Sequence, residues 1–201
     1  MNVWRSPAEP VHAEAPVLFL DRDGVLVVDK HYLSDPAEVE IIRGVPAALA
    51  RAREAGFRLV GVSNQSGLGR GMFDEAALAA VMERMDELLA AEGVELDAFY
   101  YCPHAPEDDC RCRKPRPGLL EEAGKTFRWD PRASWVIGDK VDDVCLGRGA
   151  GMGAIHVATG HGAGHRKRVL DTWGADPMVL IATDLPGAIA TVLDRLPGSA
   201  P

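Results

Sequence analysis

Two aspartates, Asp21 and Asp23, stand two positions apart in "FLDRDGV" (19–25), directly after the apolar run "PVLFL". Residues i and i+2 of a strand share a face, so both carboxylates can approach one reacting group where the strand runs out. An anionic pair of this kind needs a counter-charge, and Mg2+, which takes oxygen ligands, supplies it. Asp139, Asp142 and Asp143 in "IGDKVDD" (137–143) are the further carboxylates available. Taken alone, "DRDG" is also the composition of an ordinary acidic turn. The stretch "SNQSG" (63–67) adds Ser63, Asn64, Gln65 and Ser66, whose hydroxyls, amides and turn N–H groups can hold phosphate oxygens. Lys114 offers such an anion a point charge and Arg113 a planar fork, while Lys140 follows "GD" at a strand end. Gly67, Gly69 and Gly71 lack the spacing of a P-loop lysine motif, which gives an ATPase reading little support.

A second cluster lies in "YCPHAPEDDCRCRKPRPG" (101–118). Cys102, His104, Cys110 and Cys112 form a Cys-x-His pair and a Cys-x-Cys pair, the composition of a closed, tetrahedral, structural zinc site. A disulfide between Cys110 and Cys112 would be strained at that spacing. The fourth cysteine, Cys145, is expected to pack as a small hydrophobe. The zinc loop, 101–114, leads directly into Arg113 and Lys114, so the metal is expected to act as a clip and not as a reaction centre.

These residues must be positioned by a scaffold, and the chain alternates the required elements. Short apolar runs at 16–20, 57–62, 97–102, 134–138, 153–158 and 178–183 predict strands. Helices are predicted over 44–56, from an N-cap at Asp74 onward, over 115–127 and over 185–196. Alternation of this kind predicts an α/β fold, a three-layer, Rossmann-like parallel sheet whose ligands bind beyond the carboxyl ends of its strands. "DRDG", "SNQSG" and "GDKVDD" all fall at such ends. A chain of 201 residues holds one good core. One domain is expected over 16–196, with a flexible leader at 1–15 and a frayed tail at 197–201. The intervals between motifs leave no room for a separate cap domain. A net charge of -8 argues against nonspecific nucleic-acid binding. No apolar run is long enough to span a bilayer, and the N-terminus lacks a signal peptide's apolar region. A cytoplasmic monomer acting on a small phosphorylated metabolite is the expectation.

In their order, "FLDRDGV", "SNQSG", "CRKPRPG" (112–118) and "IGDKVDD" resemble the haloacid dehalogenase-like phosphatase superfamily. Within it they look like the subfamily of D-glycero-D-manno-heptose 1,7-bisphosphate and histidinol-phosphate phosphatases, over residues 17–196. The resemblance implies that Asp21 is the nucleophile, forming an aspartyl-phosphate, and that Asp23 is the general acid and base. It implies that Ser63 and Lys114 hold the transferring phosphoryl group. Mg2+ would be held by the Asp21 carboxylate, the Asp23 carbonyl and Asp139, with Asp143 in a supporting position. Asp29 and Tyr32 would contact substrate, and the cysteine loop would carry zinc. The "APEDD" segment of that loop is shorter than in the heptose enzymes. The substrate favoured at this level is D-glycero-D-manno-heptose 1,7-bisphosphate, losing its 1-phosphate. Histidinol phosphate or another small phosphometabolite is the alternative, and outside enzymes a degenerate binding module of the same fold.

Overall fold

Val17, Leu18, Phe19 and Leu20 have no exposure to solvent on either face, as a strand in the middle of a covered sheet requires. The computed structural model describes residues 2–196 and places that run at the centre of the fold. Its strands are β1 (Asn2–Arg5), β2 (Val11–Glu14), β3 (Val17–Leu20), β4 (Arg58–Asn64), β5 (Ala98–Cys102), β6 (Phe127–Arg128), β7 (Trp135–Gly138), β8 (Gly153–Val157) and β9 (Val179–Ala182). Its helices are α1 (Val45–Glu54), α2 (Ser66–Gly69), α3 (Glu75–Ala91), α4 (Gly118–Thr126), α5 (Val141–Gly149), α6 (Gly162–Trp173) and α7 (Leu185–Leu193). The main sheet has the order β1-β5-β4-β3-β7-β8-β9, with β1 antiparallel to β5 and every other pair parallel.

Alternation along β3 divides the core into two layers. Leu18 and Leu20 pack with α1, α3 and α7 through Leu49, Met82 and Ile189, while Val17 and Phe19 pack with α4 and α5 through Leu119 and Leu146. The α3 N-cap is Asp74, whose side chain accepts from the Ala77 N–H at 2.8 Å. The chain leaves β3 in both directions, toward β4 and β5 on one side and toward β7, β8 and β9 on the other. The switch point therefore lies at the carboxyl ends of β3, β4 and β7.

The leader departs from expectation. Asn2–Arg5 and Val11–Glu14, both inside the stretch 1–15 expected to be flexible, form strands. β1 covers the open edge of β5, and β2 pairs in parallel with β6 in a separate two-stranded sheet. Side chains hold them there: Trp4 Nε1 donates to Asp86 Oδ2 at 3.1 Å, and Arg58 Nη2 donates to the Ala13 carbonyl at 2.7 Å. The tail expected at 197–201 lies outside the described residues. Three helices were not predicted: the single turn α2 begins in "SNQSG", which reads as a polar loop. α5 carries glycines at 147 and 149 and is buried on several sides, so it has no apolar stripe to read, and α6 begins in the Gly-rich run "HGAGH".

Candidate active site

Asp21 follows the last residue of β3, with its backbone N–H bonded to the Ile137 carbonyl of β7 at 3.1 Å. Its carboxylate faces Lys114, whose Nζ lies 3.2 Å from Asp21 Oδ1, 2.6 Å from Asp143 Oδ1 and 2.8 Å from the Val62 carbonyl. Burial by itself raises the pKa of Asp21, but Lys114, then Lys140, then the Ser63 hydroxyl outweigh it and hold it below the ordinary carboxylate value. Burial works against the charged form of Lys114 too, and the carboxylates of Asp143 and Asp21 reverse that, keeping it an ammonium.

Lys114 is positioned by Asn64. The Asn64 amide spans the lysine's backbone, Nδ2 donating to Lys114 O at 3.2 Å and Oδ1 accepting from Lys114 N at 3.0 Å. The Lys114–Pro115 peptide is cis. Gln65 is equally committed: its Nε2 donates to Ser63 Oγ at 2.9 Å and to Asp23 Oδ2 at 3.0 Å. Both residues were expected to bind substrate directly; they line the cleft, and within the protein their amides fix Lys114, Ser63 and Asp23.

Asp139 directly follows β7 and is fully buried beside Gly24 and Gly160, at either of which a β-carbon would collide with its Oδ2. That oxygen accepts from the His161 N–H at 2.7 Å, while Oδ1 has no hydrogen-bond partner. Burial first, then the charges of Asp21 and Asp143, push the Asp139 carboxyl up to about 7. Oxygens of Asp21, Asp139 and Asp143 all lie within 4.8 Å of one another, three carboxylates against the two ammonium groups of Lys114 and Lys140. A divalent cation fits this set: it supplies the missing positive charge and a partner for Asp139 Oδ1. Asp143 is committed on both oxygens, to Lys114 and to the Lys140 N–H at 3.0 Å, and so stands behind the other two.

Asp23 points elsewhere. Its side chain meets the guanidinium of the buried Arg22 and the Gln65 amide. Around this floor opens a cleft of about 190 Å3, lined by every residue expected to touch substrate: Asp29, Tyr32, Ser63, Asn64, Gln65, Ser66, Arg113, Lys114 and Lys140. Asp29 and Tyr32 come from the loop after β3. There His31 and Tyr32 hold left-handed backbone angles (φ 58° and 65°), and the His31 N–H bonds Asp29 Oδ1 at 2.8 Å. His161, which no sequence motif singles out, closes the rim, with Nε2 3.0 Å from Asp29 Oδ2. Its signal was hidden in a Gly-rich stretch that reads as an unremarkable loop. Arg22 was missed outright, because nothing in "DRDG" marks the middle residue as buried.

Cys102, His104, Cys110 and Cys112 converge at the end of β5, with all cysteines free. Four of the six ligand–ligand distances are 3.2–3.6 Å, which as edges of a tetrahedron place its centre about 2.0–2.2 Å from each donor, near zinc bond lengths. The donor set therefore fits a structural zinc ion.

A mainly parallel sheet with aspartates beyond its central strands and a lysine aimed between them defines a haloacid dehalogenase-like hydrolase. The family model described as HAD-hydrolase-like matches residues 111–188, which include Lys114 and Asp139. The D-glycero-beta-D-manno-heptose-1,7-bisphosphate 7-phosphatase of Yersinia pestis is 38% identical over 182 residues, covering 87% of this chain and 95% of its own. Its counterpart in Escherichia coli K12 is 42% identical over 153 residues, 72% of this chain and 80% of its own. Among solved structures, the D,D-heptose 1,7-bisphosphate phosphatase from B. bronchiseptica, complexed with magnesium and phosphate, is 33% identical. It superposes with a TM-score of 0.80, covering 90% of this chain and 99% of that one. The chain belongs to the haloacid dehalogenase-like phosphatases, in the family of these heptose bisphosphate phosphatases.

Proposed function

We propose that the chain is a Mg2+-dependent phosphomonoesterase working through an aspartyl-phosphate on Asp21, and that it removes the 7-phosphate of D-glycero-β-D-manno-heptose 1,7-bisphosphate. One observation carries the reading: on the floor of one cleft Asp21 faces the Lys114 ammonium, and directly beneath it lies Asp139, whose Oδ1 accepts no hydrogen bond and has only the Lys140 ammonium at 3.5 Å. A phosphate monoester is an anion, so a carboxylate approaches it only where its charge is neutralised. Mg2+ held by Asp21, the Asp23 carbonyl and Asp139 would supply that neutralisation. Lys114 and Ser63 hold the phosphoryl oxygens. An Asp21 oxygen bonds to phosphorus, the bond from phosphorus to the ester oxygen breaks, and the proton of Asp23 passes to that oxygen. Asp23 then takes a proton from the water that attacks the aspartyl-phosphate, releasing inorganic phosphate and restoring Asp21.

The choice of phosphate differs from the sequence reading, which favoured the 1-phosphate. The relatives quoted above are named 7-phosphatases, and the proposal follows them. The phosphate that stays would meet Arg113, which lines the cleft and whose Nη1 is buried without a partner, together with Lys140. Catalysis is assigned to a cytoplasmic monomer; among the described residues no helix is long and apolar enough to cross a membrane. The test pairs two measurements. Asp21→Asn should keep its melting temperature and lose turnover of every phosphomonoester, and activity in a clean preparation would overturn the nucleophile. Wild-type kcat/KM should favour the heptose bisphosphate, with the phosphate at carbon 1 retained by phosphorus NMR. A preference for histidinol phosphate would overturn the substrate and leave the mechanism standing.

A further inference from the structure

Arg22 lies between the two aspartates of the floor and is 1% exposed, yet the chemistry above gives it no part. Its guanidinium does not face the phosphate site's anionic trio. Nε and Nη2 both donate to Asp23 Oδ1, at 3.1 and 2.9 Å, and Nη2 reaches Asp23 Oδ2 at 2.9 Å. The remaining nitrogen, Nη1, rests 3.7 Å from the Met82 sulfur of α3, so the fork is anchored on the core helix behind it. From the other side the Gln65 amide reaches Asp23 Oδ2 at 3.0 Å. An aspartate carboxylate on two rotatable bonds is otherwise free to turn, and this one is partly open to the cleft, with 19% of its side chain exposed.

We propose that Arg22 is the positioning residue of Asp23: the planar fork fixes the orientation of that carboxylate toward the leaving-group oxygen. The inference rests on the acid–base role assigned to Asp23. Two roles are open to a buried arginine beside a carboxylate. It can balance charge, which a lysine ammonium does as well, or it can fix geometry, which only the bidentate fork does. Substitution by lysine separates them. Loss of an oriented general acid hurts poor leaving groups most, because a good leaving group departs without a proton. A merely structural defect lowers the active fraction and cuts all substrates alike.

The experiment measures kcat/KM for an alkyl phosphate, glycerol 3-phosphate, and for an activated aryl phosphate, p-nitrophenyl phosphate, in wild type, Arg22→Lys and Asp23→Asn. The alkyl-to-aryl ratio belongs to the folded molecules alone, so partial misfolding does not disturb it. Should R22K yield no folded protein, R22Q is read in the same way. Asp23→Asn should lower the ratio about a hundredfold, the scale of a general acid, and R22K about tenfold, the scale of a misplaced one. An unchanged ratio in R22K beside a lowered one in D23N overturns the role of Arg22 only. An unchanged ratio in D23N overturns the assignment of Asp23, and the role of Arg22 falls with it.

Discussion

Asn64→Ala tests whether Lys114, the proposed phosphate-binding lysine, is held by its backbone as well as by its charge. The asparagine makes two hydrogen bonds to Lys114, at 3.0 and 3.2 Å, in a part-buried setting, and alanine removes both. At about 1 kcal/mol each the loss is about 2 kcal/mol. For a chain of this length that corresponds to a melting temperature lower by about 4–8 °C. The ammonium keeps its contacts with Val62 O, Asp21 and Asp143, so Lys114 stays in the floor but on a loosened backbone. A shift of a fraction of an ångström at the phosphoryl group should cost about tenfold in kcat, with a smaller change in KM. Differential scanning calorimetry and steady-state kinetics on one preparation read both effects. An N64A variant that melts like wild type and turns over at the wild-type rate would refute the clasp. So would a rise in KM alone, which is what a direct substrate ligand would give.

Three further outcomes are expected. Gly24 has φ +78°, and a β-carbon there would stand 2.7 Å from Asp139 Oδ2 and 2.8 Å from the Gly160 Cα. Gly24→Ala should therefore raise the Mg2+ concentration needed for half-maximal rate and destabilise by about 2–4 kcal/mol, from backbone strain plus overpacking; a wild-type Mg2+ titration would contradict this. Cys110→Ala should lose one zinc per chain by elemental analysis and lower melting temperature and rate together, and a zinc-free variant with both intact would leave the clip without a purpose. His156 is fully buried in β8, with Nε2 donating to the Gly162 carbonyl at 2.9 Å, and burial holds its pKa below the ordinary value. The unfolded chain then binds the extra proton first, so stability is whole above the unfolded pKa of about 6.5 and falls as pH drops below it. The slope of melting temperature against pH between about 6.5 and 5 should flatten in His156→Gln, and an unchanged slope would remove His156 as its source.

What could be read in advance follows from how much of a residue's role is local. Asp21 and Asp139 stand directly after apolar strands, and in a parallel sheet a strand's end is also the ligand's place, so pattern alone pointed to them. Cys102, His104, Cys110 and Cys112 were legible because the loop is short, and short spacing leaves few other geometries. Asn64 and Gln65 were found, but their partners within the protein were not. Which group an amide faces depends on residues about fifty and forty positions away, Lys114 and Asp23, and no local pattern carries that. β1 and β2 escaped for a related reason: four-residue strands separated by a segment with Pro7 and Pro10 have no periodicity of their own and form because β5 and β6 present open edges. Arg22 was hidden most deeply, since a charged residue inside "DRDG" reads as solvated until Met82 is seen behind it.

The cysteine loop also gains a physical connection to the floor that its position in sequence only suggested. Cys102 is the last residue of β5, and its carbonyl accepts from the Gln65 N–H at 2.8 Å. One residue further on, the Pro103 carbonyl accepts from the Gly69 N–H at 2.8 Å, so the start and end of α2 are both bonded to the loop. Gln65 in turn holds Ser63 and Asp23, and Asn64 holds Lys114, which follows the last cysteine by two positions. A metal joining Cys102 to Cys112 would therefore close a ring that contains Asp23, Ser63 and Lys114. Without it, the segment between His104 and Cys112 has few buried side chains to keep its shape, and the ring opens at its weakest side. On this reasoning loss of zinc reaches the rate through the placement of Lys114 and Ser63. The zinc-free Cys110→Ala variant should accordingly resemble Asn64→Ala, with kcat lowered more than KM raised.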